Sequence, residues 1–268
     1  MSVAKGRAGT SKVLSPRPAP PAPRGGALTP RPPLPAPRGE GEPERDARAA
    51  GRGTVLGIDL RSGPRYPTGV AALDADWRLV LLGTARTDAE IEAAVAQVRP
   101  ALVAIDAPLG LPEGRCCAER ACACARFGIL RAVDRALLAA GYRVYPSLLP
   151  SMVGLTLRGA RLWARLDAAG VPMLEVFPGM AQDRLGLPRK QADLAGLERG
   201  LRRIGVRGLP RARRITHDEL DAVTCAVVAL LHRAGETETF GPGVPAPFAA
   251  PLDAAGAALL AAARAGGV

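Results

Sequence analysis

The chain has 268 residues, a formal net charge of +11 and 48% hydrophobic residues. No stretch approaches the 18 or so uninterrupted apolar residues that a membrane-spanning helix needs. Five cysteines, four of them within nine residues, do not resemble an extracellular disulfide framework. The basic start lacks a following apolar signal core, so a reducing cytoplasm is the expected compartment. The first fifty residues hold 11 of the 26 prolines and almost no large apolar side chains. Such a segment cannot bury enough surface to offset its ordering entropy, so 1–52 reads as a disordered Pro/Arg-rich extension. It carries ten Lys/Arg against four Asp/Glu, so +6 of the +11 belongs to this extension. The high pI therefore says little about the folded part, although a basic tail would add non-specific attraction to nucleic acid.

The folded part is expected over 53–235. Thr54-Val-Leu-Gly-Ile-Asp reads as a buried strand ending at Asp59. Gly69-Val-Ala-Ala-Leu-Asp and Arg78-Leu-Val-Leu-Leu-Gly follow at hairpin spacing, continuing an antiparallel meander. Thr87 caps a helix whose apolar face is Ile91, Ala94, Val95 and Val98, stopped by Pro100. Ala101-Leu-Val-Ala-Ile-Asp is a second apolar run ending in aspartate. Because a helix intervenes, it should lie parallel to the first. The pattern predicts mainly helix over 115–140, a helix over 157–168, and a strand between Pro172 and Pro178. A last helix is expected from His217 to about Arg233, with Thr216 and Glu219 as its capping box. The remainder, 236–268, is Pro/Gly- and then Ala-rich, which suggests a tail with at most a short helix. This order predicts an α/β fold of the ribonuclease H-like type, a mixed five-stranded sheet flanked by helices.

Two apolar strands each ending in aspartate are the key chemical observation. Carboxyl ends of parallel strands face the functional edge of such sheets, so Asp59 and Asp106 should be neighbours. Aspartate also ends strands simply as a turn residue, and only the pairing of the two makes that reading the weaker one. Asp218 and Asp221 are three apart and share one face of the last helix. Asp218 is equally well explained by the helix dipole, whereas Asp221 opens the apolar stretch that should face the sheet. Carboxylates about 5 Å apart repel by roughly 3 kcal/mol per pair at an effective dielectric near 20. A cluster of four must therefore protonate or bind a cation, and hard oxygen donors suit Mg²⁺ or Mn²⁺.

Gly57-Ile-Asp59, Ala104-Ile-Asp106-Ala-Pro-Leu, Leu155-Thr-Leu-Arg-Gly, Glu175-Val-Phe-Pro178 and His217-Asp-Glu-Leu-Asp221-Ala together resemble a prokaryotic family, the domain of unknown function 429. That family is described as predicted nucleases of ribonuclease H fold, and the resemblance spans about 54–235. The closing helix is also similar to that of Holliday-junction resolvases. The resemblance implies Asp59 and Asp106 as strand ligands and Asp218 and Asp221 as helix ligands of a divalent metal. It implies Glu175 as a further ligand or supporting group, against the plainer role of a buried salt-bridge partner. His217 could orient water or phosphate, or simply belong to the capping turn.

Seven arginines lie between Arg199 and Arg214. Arg211, Arg213 and Arg214 precede the acidic helix and are candidates for nucleic-acid phosphates; the alternative is a solvated helix and loop. Aromatic residues are only 3% of the chain, so recognition by base stacking is not expected. Cys116, Cys117, Cys122 and Cys124 depart from the well-separated Cys-x₂₋₄-Cys pairs of structural zinc sites. On a regular helix they could not all point one way, which leaves ordinary packing ahead of metal binding or redox pairing. Cys225 is expected in the core. The function so indicated is metal-dependent phosphodiester hydrolysis. The rivals are a non-catalytic binding module and a phosphotransferase of the actin/sugar-kinase group, which would need a second copy of the fold.

Overall fold

The computed structural model describes residues 53–243 and 245–265; the expected extension 1–52 lies outside the described residues. The strands are β1 (Val55–Asp59), β2 (Thr68–Leu73), β3 (Leu79–Ala85), β4 (Leu102–Asp106), β5 (Met173–Glu175), β6 (Thr237–Phe240) and β7 (Phe248–Pro251). The helices are α1 (Asp88–Val98), α2 (Ala132–Ala139), α3 (Val153–Ala168), α4 (Pro178–Arg184), α5 (Leu194–Arg203), α6 (His217–Arg233) and α7 (Ala255–Ala265). One sheet takes the order β3-β2-β1-β4-β5-β7-β6. Strand β2 is antiparallel to both β1 and β3, and β4 and β5 continue parallel to β1. This order and polarity make the fold ribonuclease H-like.

The sheet has seven strands, not five. Strand β7 joins β5 in parallel and β6 closes the edge antiparallel to β7. Both strands come from the segment expected as a tail. Thr-Glu-Thr-Phe is a half-exposed edge, and Phe-Ala-Ala-Pro is short, so neither carries a strong alternating pattern. A second departure lies between β4 and α3. The segment expected as mainly helical contains a 3₁₀ turn at Ala123–Phe127 and only the eight residues of α2 as α-helix. Gly114 and Gly128 adopt φ of 82° and 81°, which ends helical geometry on either side of the cysteines. Its abundant Ala and Cys imitate a helix, but they supply no broad apolar face to bury. Helix α4 was not foreseen: it begins at Pro178, where proline at the first helical position leaves no donor unpaired.

Alternation along the strands sorts the core onto two faces. Leu56, Ile58, Val103 and Ile105 face Ile91 and Val95 of α1 and Leu162 and Leu166 of α3. Val55 and Ala104 face the opposite side, where α6 supplies Ala222, Val223, Cys225 and Ala226. Asp59 and Asp106 continue the second series. Helix α6 lies so close to the sheet that two positions beneath it have no room for a side chain. A Cβ at Gly57 would stand 2.0 Å from the Ala222 carbonyl oxygen, and one at Gly69 would stand 2.0 Å from that of Asp218. Glycine at these two positions is what admits the helix. Among the described residues, no helix is long and apolar enough to cross a membrane.

Candidate metal centre

Register places the first two acids side by side, since Asp59 pairs with Asp106 across β1 and β4. The capping box at Thr216 and Glu219 then starts α6 beside them, and the glycine-permitted approach brings Asp221 into reach. Carboxylate oxygens of Asp59, Asp106 and Asp221 all lie within 4.8 Å of one another. Asp59 and Asp221 are each 3% exposed.

Burial, followed by the charge of Asp106, pushes the Asp59 carboxyl up to about 9 despite the opposing charge of Lys190. Burial and the charge of Asp221 push Asp106 to about 7, again against Lys190. Lys190 bridges Asp221 and, at 3.7 Å, Asp59. Burial works against its ammonium, but the charges of Asp59, Asp221 and Asp106 outweigh that and hold its pKa above the ordinary value. Gln182, 1% exposed, donates its amide to Asp221 Oδ1 at 2.8 Å, leaving Oδ2 to face Lys190. Asp59 Oδ2 is buried without a hydrogen-bond partner. One ammonium thus faces three carboxylates, and the buried Asp59 Oδ2 lies beyond hydrogen-bond reach of it. That is a donor set suited to a divalent, oxygen-preferring cation, whose charge would invert these pKa trends.

The other expected site residues lie outside this trio. Asp218 Oδ1 is 2.6 Å from Arg61 Nη2 and 3.0 Å from His217 Nδ1; His217 itself is half exposed. Glu175 is held by Arg131, whose two terminal nitrogens donate to its two oxygens at 2.6 Å each. Its Oε2 also accepts from the Leu109 amide at 3.0 Å. Both oxygens of Glu175 are therefore taken up in a buried salt bridge, the plainer of its two expected roles. Arg213 is paired with Glu219 of the capping box, and Arg211 and Arg214 are exposed. Elsewhere in the arginine-rich stretch, Arg202 caps the Leu209 and Pro210 carbonyls and Arg207 binds that of Asp76, which are structural tasks.

A cleft of about 510 Å³ opens on Asp106 and Asp221, and Arg143, Tyr145, Phe177, Arg189 and Lys190 are among the residues that line it. Lys190, Gln182 and Arg143 are the functional candidates that sequence reasoning missed. The adjacent Arg189-Lys190 pair was a visible signal; a single glutamine inside a short helix was not.

A search of curated proteins finds no match to this sequence. Among solved structures, the chain is similar to Thermus thermophilus RuvC in complex with Holliday junction substrate. The two share 19% identity over 68% of this chain and 96% of that one, with a TM-score of 0.41. A second structure of Thermus thermophilus RuvC gives 19% identity over 74% and 99% of the two chains, also at a TM-score of 0.41. The model of the family described as "Protein of unknown function (DUF429)" matches residues 57–246, more than half of the chain, from within β1 to beyond β6, and the protein belongs to that family.

Proposed function

We propose that this protein is a metal-dependent nuclease that hydrolyses phosphodiester bonds at the Asp59–Asp106–Asp221 centre. The observation that carries the reading is the meeting of three carboxylates around a buried Asp59 Oδ2 that has no hydrogen-bond partner and, among the described residues, only the Lys190 ammonium, at 3.7 Å, to offset it. Mg²⁺ or Mn²⁺ suits such oxygen donors, and when bound would supply an activated water and stabilise charge on the leaving oxygen. Asp59, Asp106 and Asp221 would hold it. Gln182 fixes the rotamer of Asp221 by occupying its other oxygen. Arg143, Arg189 and Lys190 on the cleft wall give the polyanion a basic path to the acids. Asp218, with Arg61 and His217, flanks the trio and steadies the first turn of α6.

The test combines calorimetric Mg²⁺ and Mn²⁺ titration of the full chain with cleavage assays on single-stranded, duplex, hybrid and branched nucleic acids. Saturable binding and metal-dependent cleavage are expected, and both should be lost in Asp59→Asn. Metal binding unchanged by that substitution would remove the site assignment. Binding without cleavage of any substrate would replace the nuclease with a non-catalytic module.

A further inference from the structure

The four cysteines expected to scatter around a helix instead converge. Sulfur atoms of Cys116, Cys117, Cys122 and Cys124 all lie within 4.8 Å of one another. Cys116 and Cys122 are 3.6 Å apart, and Cys117 and Cys124 are 3.7 Å apart. A disulfide would bring a pair to about 2.05 Å. Four sulfurs around one tetrahedral zinc at about 2.3 Å stand about 3.8 Å from each other by simple geometry. The observed spacings fit the second arrangement. A multi-iron cluster fits less well, because its thiolates bind different irons and stand farther apart.

Apart from a 3₁₀ turn and the bonds of Arg115 to the Cys117 and Glu119 carbonyls, the surrounding loop has little to hold its shape. Between Glu113 and Leu130, Cys124 is the one buried residue, so the loop has no apolar core of its own. Its ends are nevertheless fastened. The Glu175 carboxylate receives Leu109 at one end and Arg131 at the other, and Glu113 accepts from the Ala132 amide at 2.9 Å. Inside, Arg115 donates to the Cys117 carbonyl at 3.0 Å. With Arg120 and Arg126, it gives the loop three cations against Glu113 and Glu119, an excess of positive charge that favours a tetrathiolate centre, which would carry two negative charges.

We propose that Cys116, Cys117, Cys122 and Cys124 bind one Zn²⁺ as a structural site, which serves as the core of the loop between β4 and α2. Each ligating thiol releases its proton to solvent and no electrons move. The loop backs the cleft wall, because the Ile129 carbonyl accepts from the Ser147 hydroxyl and the Leu148 amide, next to the cleft-lining Arg143 and Tyr145. Soft thiolates and hard carboxylates select different ions, so this centre is separate from the acidic one.

The decisive measurement is the metal content of the full chain, purified under reductant without chelator from zinc-supplemented cells. About one zinc per chain is expected in the wild type and in Asp59→Asn, and none in Cys122→Ser or Cys124→Ser. Cobalt loading of the wild type should give the visible bands of tetrahedral tetrathiolate cobalt, which tests the site even where a serine variant fails to fold. Zinc-free wild-type protein, zinc retained in both serine variants, cobalt bands without thiolate character, a single bound iron, or two disulfides in the reduced preparation would each overturn the proposal.

Discussion

The acidic trio and the cysteine loop both gather like side chains within 4.8 Å, yet they are built in opposite ways. Asp59, Asp106 and Asp221 come from β1, β4 and α6, 47 and then 115 residues apart in the chain, and are set by strand register and helix seating. The cysteines come from nine consecutive positions in a loop with a single buried side chain. The trio is a product of the fold, so a cation arriving there finds a scaffold that already stands. The loop has a ring of ligands and little else, so its metal would take the place of a core. Rigid elements make precise sites, and short loops need a staple.

Glu175 is where the two regions meet, and breaking it is the largest predicted effect. Glu175→Ala leaves the buried Arg131 without one of its carboxylate partners and should cost about 3–5 kcal/mol. At roughly 2–4 °C per kcal/mol for a domain of this size, that is a fall on the order of 10 °C in Tm. Proteolysis should then begin within the cysteine loop while zinc stays bound. A variant that melts within 2 °C of wild type would show that the clasp does not join the regions.

Acidity separates them next. Asp59 at about 9 and Asp106 at about 7 lie above the ordinary 3.8, so the native state keeps protons that the unfolded chain releases from about pH 4 upward. Stability of the protein free of Mg²⁺ and Mn²⁺ should therefore fall as pH rises from 5 to 8. The slope is at most about 1.4 kcal/mol per pH unit for each proton retained. Saturating Mn²⁺ should flatten this dependence. Thermal melts over that range check it, and a Tm that rises with pH in the Mn²⁺-free protein would contradict the assignment.

Lys190→Ala is the subtlest change. Its ammonium competes with a cation for Asp221 and Asp59, so removing it should tighten Mn²⁺ binding about tenfold, equivalent to about 1.4 kcal/mol. The zinc content of the loop should not move. Weaker Mn²⁺ binding in calorimetry would show that Lys190 supports the metal instead of competing with it.

The contrast also explains what the sequence could reveal. Asp59 and Asp106 were legible because apolar strands ending in acid are a local pattern, and Thr216 and Glu219 located the start of α6 to the residue. Asp218 and Asp221 could not be separated from spacing alone. The apolar stretch that opens at Asp221 already pointed it to the sheet, and the seating of α6 on Gly57 and Gly69 puts it there and leaves Asp218 to Arg61. Glu175 carried two readings, and its pairing with Arg131, 44 residues away in sequence, left no local signal to choose between them. The cysteines misled because helical periodicity was assumed for a segment that two glycines with positive φ remove from the helix. Strand β6 escaped because an edge strand needs few apolar residues, and β7 because four residues are too few to show a pattern.

The bare backbone at Gly57 has one more effect. The gap between Asp221 on the helix and Asp59 on the strand is fixed by how near α6 can lie, and that is decided by an atom the chain does not have. Adding a methyl group at Gly57 would lift the helix and widen the carboxylate cage. On the proposed function, the ionic radius the cage prefers would then change through a position that never touches the ion. Discrimination between Mg²⁺, Mn²⁺ and the larger Ca²⁺ would thus be written in the spacing of two main chains.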